Sequence, residues 1–344
     1  MNSPRRTEID VSKGFALFLV IFGHLVILKE PLFLWIFSFH MPAFFFLSGM
    51  TFKPEKYKTL RACAADKARH FLIPYLVITF IGAAICFLRP AYRAEAFHEA
   101  YPLSYHLTWI FYYGQPMQLY IGQVWYLMAL FWAELFAFSW LKTMKNRPVF
   151  LRIGSLVLIA AAAVHIREIF PYLPVGNRLP LKLDTALCAF IFVIAGYYVR
   201  KYEVIEKARP FALLLIPAAI LGSYLLGPKT GIYINLCDCF YTPARYFYPG
   251  AFCGIAALLL TASLCKNWRF WQYYGRYSMP IFAAHTFGIY LVLEVYERFT
   301  KTDWTPMISM PGDKFCLALA IVVFLALGAL IYPWHRYKTR KNRL

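Results

Sequence analysis

Eight ionisable side chains interrupt stretches that are otherwise apolar: Asp10, Lys13, His24, His40, Glu134, Asp184, His285 and Glu294. Three of them share the first stretch. Lys13 and His24 are eleven residues apart, which on an α-helix is about 1100°, ~20° past three full turns, and a rise of ~16 Å. A helix there carries both on one face at two depths. Asp10 precedes Lys13 by three residues on the same stripe, the spacing of an i,i+3 ion pair. A neutral imidazole is the natural general base near pH 7. Ser38-Phe39-His40-Met41-Pro42 in the next apolar run brings a second imidazole to a similar height. One histidine among apolar residues is ordinarily a hydrogen-bonded packing residue; two at one level above a lysine weaken that explanation.

The elements that must hold these residues follow from composition. The chain has 344 residues, 60% hydrophobic and 19% aromatic, with 15% charged and a mean hydropathy of +0.52. Water-soluble domains average about 45–50% apolar and about 25% charged residues, so most soluble folds are excluded, as are disordered and collagen-like chains. Apolar runs at roughly 9–28, 33–52, 70–88, 122–141, 150–165, 181–200, 211–227, 245–264, 278–298 and 313–334 have the length of membrane-crossing helices. The expected fold is all-α: a polytopic membrane protein of about ten transmembrane helices in a single domain, 1–344, with no appended soluble domain. Arg5 and Arg6 before an apolar stretch resemble a secretory signal, but Asp10 and Lys13 interrupt it and no small-x-small cleavage site follows, so it reads as a retained first span.

The net charge of +19 would in a soluble protein point to nucleic acid. Here the cations fall in short segments between apolar runs, at Lys53 to Arg69, Lys142 to Arg147 and Arg200 to Arg209. With the N-terminus inside, Lys and Arg number 23 in the inner connections and 7 in the outer ones. That asymmetry places both termini in the cytoplasm and assigns no nucleic-acid role. The longest connection, 89–121, lies outside and carries Trp109, Phe111, Tyr112 and Tyr113 with His98 and His106, as an interfacial aromatic belt or a lid. Of eight cysteines, most lie in apolar runs as small buried hydrophobes; Cys237 and Cys239 form a C-x-C that closes a disulfide ring poorly. No ligand spacing suggests a metal.

The ordered segments also carry a resemblance. Ile9-Asp10-Val11-Ser12-Lys13-Gly14 running to His24, then Phe39-His40-Met41-Pro42 through Ser48-Gly49, then Lys67-x-Arg69 leading to Leu72-Ile73-Pro74-Tyr75, resemble the membrane acyltransferase-3 family. Val124-Trp125-Tyr126-Leu127, Phe190 to Tyr197 and Tyr277 to Thr286 continue it. The resemblance implies an enzyme of the cytoplasmic membrane that moves an acyl group, most commonly acetyl, from cytoplasmic acyl-CoA to a hydroxyl of an exported or lipid-linked glycan. It makes His24 the essential histidine, as base or acyl carrier, and Lys13 its basic partner, a Lys where Arg is commoner, which keeps charge without the bidentate geometry. The expected catalytic set is His24, Asp10 and His40. Lys13, Lys67 and Arg69 are expected to hold the CoA phosphates, and Trp125, Tyr126, Asp184 and His285 the acceptor. Relatives often append an extracytoplasmic domain; without one, this chain is expected to work alone, as a homo-oligomer or with a separate partner protein.

A second class of function also uses intramembrane His, Asp and Glu: a proton-coupled transporter or flippase of a small polar solute or lipid-linked sugar. Such carriers often show internal repeats, and none is visible in this sequence. Acyl transfer by the purified protein separates the two readings.

Overall fold

The computed structural model describes residues 6–25, 31–89, 101–116, 121–170, 172, 178–231, 233–241, 243–301 and 313–341. His98 lies outside them, as do the first five residues and the last three. Every extended element described is helical; the only strand-like feature among the described residues is an isolated antiparallel bridge between Asn235 and Phe240.

In chain order the principal helices are α1 (Thr7–Gly23), α2 (Pro31–Thr51), α3 (Leu60–Lys67), α4 (Ile73–Leu88), α5 (Leu103–Leu107), α6 (Trp125–Thr143), α7 (Val149–Val164), α8 (Leu183–Lys201), α9 (Ala212–Leu226), α10 (Ala244–Leu264), α11 (Arg269–Arg276), α12 (Ser278–Thr300) and α13 (Asp313–Lys341). Eight helical runs among the described residues are long and apolar enough to cross a membrane. The two remaining predicted spans are helices of 17 residues (α1, carrying Glu8, Asp10 and Lys13) and 16 residues (α7). The protein is therefore an all-α polytopic membrane protein.

One sequence expectation changes. The basic segment 53–69, read as a loop, is largely helical: α3 continues through one π-helical turn, Ala68–Leu72, into α4, so that Leu60–Leu88 is a single run of 29 residues. Thr59 starts it, its Oγ1 accepting a hydrogen bond from the Ala62 N–H at 3.2 Å, the usual N-cap contact. No glycine or proline interrupts the segment before Pro74, which sits in the first turn of α4. Lys67 and Arg69 thus ride on a helix, at a turn type enriched at functional sites.

The chain forms two compact units. The first comprises residues 1–40, 208–231 and 252–344. Here α1 packs chiefly on α11, through two reciprocal notches. A Cβ at Gly14 would stand 2.6 Å from the Trp271 carbonyl oxygen, and one at Gly275 would overlap the Asp10 carbonyl, so only glycine lets the two backbones meet. Phe18, Trp271, Tyr274 and Phe324 fill the space beside the crossing, with Tyr274 and Phe324 stacked at 3.8 Å. The Trp35 indole donates to the Ser223 hydroxyl at 3.2 Å.

The second unit comprises residues 41–207 and 232–251. Its centre is the α6–α8 pair, with α7 against α8 and α3 against α6. The end of α2 crosses α8 by the same device: a Cβ at Gly49 would overlap the Val193 carbonyl, and one at Gly196 the Phe46 carbonyl. Trp140 donates its indole N–H to the Ser155 hydroxyl at 3.1 Å, joining α6 to α7.

Candidate functional site

Within the first unit, α1 ends at His24, whose backbone N–H still bonds the Val20 carbonyl at 3.1 Å. Its side chain is exposed although aromatic rings surround it: the His285 ring centroid is 5.1 Å away and that of Phe37 6.1 Å. Phe37 in turn lies 4.7 Å from His40, and Phe282 5.6 Å from His285.

Two of the three imidazoles have their tautomer fixed by geometry. His40 Nδ1 lies 2.8 Å from the Ile36 carbonyl oxygen, and His285 Nδ1 lies 2.6 Å from that of Phe282. A carbonyl only accepts, so Nδ1 carries the proton in each, and the neutral ring keeps a bare lone pair on Nε2. Both histidines are buried, His285 completely, at 0% exposure, and His285 Nε2 has no hydrogen-bond partner among the described residues.

The rest of the predicted set in this unit lies elsewhere on α1. Lys13 is half-buried on the His24 face, eleven residues toward the other end, or ~16 Å along the axis. Asp10 is buried, and its Oδ2 lies 3.6 Å from Arg276 Nε. At ~21 Å of helix from His24, Asp10 is too far to touch the imidazole; it faces Arg276 across the α1–α11 crossing.

The second unit holds two further groups of polar residues. In one, Lys67 Nζ is 2.5 Å from Glu134 Oε2, and the Ser48 hydroxyl donates to Glu134 Oε1 at 2.5 Å. The Phe52, Phe71 and Tyr57 rings surround the ammonium at 5.0–5.9 Å. Tyr57 donates its hydroxyl to Asp66, which also takes Lys56 Nζ at 3.2 Å; burial, then the Asp66 bond, push the Tyr57 phenol well up. Arg69, two residues past Lys67, is exposed.

In the other group, Arg178 Nε donates to Asp184 Oδ2 at 2.6 Å and Nη2 to the Cys237 carbonyl at 2.8 Å. Lys182, only 1% exposed, donates to Gln115 Oε1 at 2.6 Å and to the same carbonyl at 2.8 Å. Asp184 also accepts the Thr185 backbone N–H at 2.7 Å. Leu181 and Lys182 have positive φ, 54° and 59°, a backbone form that costs L-residues energy and persists where contacts over-determine it. Trp125 lies under Lys182 Nζ at 6.0 Å, and Tyr126 packs at 4.8 Å against Phe45, both buried. Cys237 is a free thiol, its pKa pushed up to about 12, chiefly by burial and against the pull of Lys182.

Of the predicted residues, the structure therefore joins His24 with His285, and His40 to them through Phe37. Lys67, Arg69, Trp125, Tyr126 and Asp184 belong to the second unit. The sequence reading missed Arg178, Lys182, Gln115 and Ser48, and it noted Glu134 without its partner; Arg178 is a cation in loop-like sequence before a span, and Lys182 stands at the start of that span. No group of three or more His, Cys, Asp or Glu able to hold a metal occurs among the described residues.

A family model described as an acyltransferase domain matches residues 6–333, nearly the whole chain. No curated protein and no solved structure matches this sequence.

Proposed function

Because the chain belongs to the acyltransferase-3 family, we propose that this membrane acyltransferase moves an acyl group, in the first instance acetyl, from cytoplasmic acyl-CoA to a hydroxyl of an extracytoplasmic or lipid-linked glycan. The reading sets the protein in the cell membrane with both termini inside. The observation that carries it is His24, an accessible imidazole at the end of α1 beside His285. In the proposed reaction the hydroxyl oxygen of the acceptor attacks the thioester carbonyl carbon while His24 takes the hydroxyl proton. The carbon–sulfur bond then breaks, and the proton leaves with the CoA thiolate. General base catalysis of this kind contributes typically 10²- to 10⁴-fold.

Lys13 and Arg69 are each a candidate cation for the CoA phosphates, because charged donors bind such groups. Lys67 keeps a supporting part in this reading, since its charge is already matched by Glu134. Trp125, Tyr126 and Asp184 are buried, Asp184 bonded to Arg178, which favours a supporting part rather than direct contact with the acceptor.

His24→Gln tests the reading. Purified protein with acetyl-CoA and a glycan acceptor should transfer acetyl, and the variant should lose at least about a hundredfold while unfolding at the parent's temperature. Parent protein that transfers nothing, yet carries a polar solute into vesicles, would make the chain a transporter. Activity within about tenfold in the variant makes His24 structural. Cysteines introduced near 60 and 145 should resist an impermeant reagent in intact cells, whereas those near 100 and 170 should react.

A further inference from the structure

His285 carries more than its place beside His24. Its Nδ1 is committed to the Phe282 carbonyl at 2.6 Å, which fixes the proton there and leaves Nε2 as an acceptor. That nitrogen is fully buried and without a partner among the described residues. A buried acceptor left unpaired is costly, and hydrocarbon offers it no water. Neighbouring polar side chains of this unit do not share this condition: buried Cys316 donates to the Leu25 carbonyl at 3.2 Å, and half-buried Tyr273 to the Gly328 carbonyl at 2.6 Å.

What relieves such a nitrogen is a hydrogen-bond donor. A thioester carbonyl and phosphate oxygens are acceptors and offer it nothing; the pantetheine arm of CoA holds two amide N–H donors, whereas a saccharide presents a donor at every hydroxyl. The His24 ring is one neighbour away, its centroid at 5.1 Å with the planes tilted by 31°. Two imidazoles side by side, one accessible and one with a fixed lone pair, match two adjacent hydroxyls on one sugar ring.

We propose that His285 is an acceptor-binding residue, its Nε2 accepting a hydrogen bond from the hydroxyl next to the one that His24 deprotonates, so that the site selects substrates with vicinal hydroxyls. This rests on the acyl-transfer reading for the role of His24, but the hydrogen bond itself does not. His285 thereby positions the acceptor and takes no proton in the transfer.

The test uses the full-length protein in nanodiscs with n-octyl β-D-glucopyranoside and acetyl-CoA. His285→Phe keeps the ring volume and removes the acceptor; its KM for the glucoside should rise about tenfold, the worth of one hydrogen bond of ~1.4 kcal/mol, with the KM for acetyl-CoA unchanged. His285→Gln, which can present an amide oxygen, should recover most of the loss. An unchanged glucoside KM, or a rise in the acetyl-CoA KM in its place, overturns the proposal. A second readout needs no turnover: in protein labelled with ¹⁵N-histidine, the resonance lost in His285→Phe should be an unprotonated Nε2 that moves on adding the glucoside. A protonated or unmoved Nε2 overturns it, and His285→Gln, which should lose the same resonance, checks the assignment. Should that resonance move in a protein that transfers no acetyl group, the acyl-transfer reading falls and the hydroxyl site stands.

Discussion

The two units concentrate different polar groups: ion pairs in the second, imidazoles in the first. In the second, three strong charges are met: Lys67 by Glu134, Arg178 by Asp184, and Lys182 by Gln115 and a backbone carbonyl. In the first, three imidazoles gather with one backbone hydrogen bond apiece for His40 and His285, and one buried nitrogen is left open. A charge in the bilayer costs at least about 2.5–3.5 kcal/mol at the centre of a helix. The paired groups offset that penalty internally and so act as architecture. The open nitrogen has no such compensation among the described residues, which is why the proposal gives it to substrate.

The largest effect that sharpens this contrast concerns the Lys67–Glu134 pair. Glu134 is 2% exposed and the Lys67 side chain 14%, so Glu134→Leu strands an ammonium among the Phe52, Phe71 and Tyr57 rings. Breaking a buried pair by removing one partner costs about 3–5 kcal/mol, whereas replacing both by apolar residues is often neutral. Thermal unfolding in detergent should therefore show a large drop for Glu134→Leu, most of it restored in Glu134→Leu with Lys67→Leu. His24→Gln should leave the same transition in place while removing activity. A double variant as unstable as the single one would mean that the pair serves more than charge balance.

Next in size are the glycine crossings, which both units share. Gly275→Ala and Gly49→Ala each force a methyl into a facing carbonyl, of Asp10 and Val193 respectively. Overpacking of this kind costs about 1–3 kcal/mol. Gly154→Ala on α7, with nothing within 4 Å of the added carbon, is the control and should be neutral or slightly stabilising. A tolerated Gly275→Ala would show that α1 and α11 slide easily, which would loosen the argument that α1 holds His24 in place.

These features differ in how legible they were. The apolar runs needed only hydropathy, because bilayer thickness fixes helix length, and all ten correspond to helices. The pairing of His24 with His285 spans 261 positions of sequence; both residues could be singled out by the rarity of ionisable groups in spans, but not their contact. Lys67 was legible as a cation and Glu134 as an intramembrane acid, yet nothing in one sequence says that they meet. The π-helical turn Ala68–Leu72 was invisible because ARHFL suits an ordinary helix equally well. Lys182 escaped for a different reason: its left-handed backbone is usually flagged by glycine or asparagine, and Pro-Leu-Lys gives no such signal.

The smallest expected effect separates ion pairs by burial. Asp10 and Arg276 are chemically the same kind of pair as Lys67 and Glu134, but the nearest approach is 3.6 Å and the Arg276 side chain is 39% exposed. A cation with that much solvent contact keeps most of its hydration, and pairs of this sort are worth about 0.2–1 kcal/mol. Arg276→Gln should therefore lower stability by no more than about 1 kcal/mol, the shift shrinking further at high salt. Transfer should stay within a few-fold of the parent, because Asp10 stands ~21 Å of helix from His24 and touches neither the imidazole nor the open nitrogen. The Gly14 and Gly275 notches hold α1 on α11 without the pair. A loss of transfer beyond a hundredfold at unchanged stability would put Asp10 and Arg276 among the groups that meet the acyl donor, and the contrast between closed and open polar sites would then need a third class.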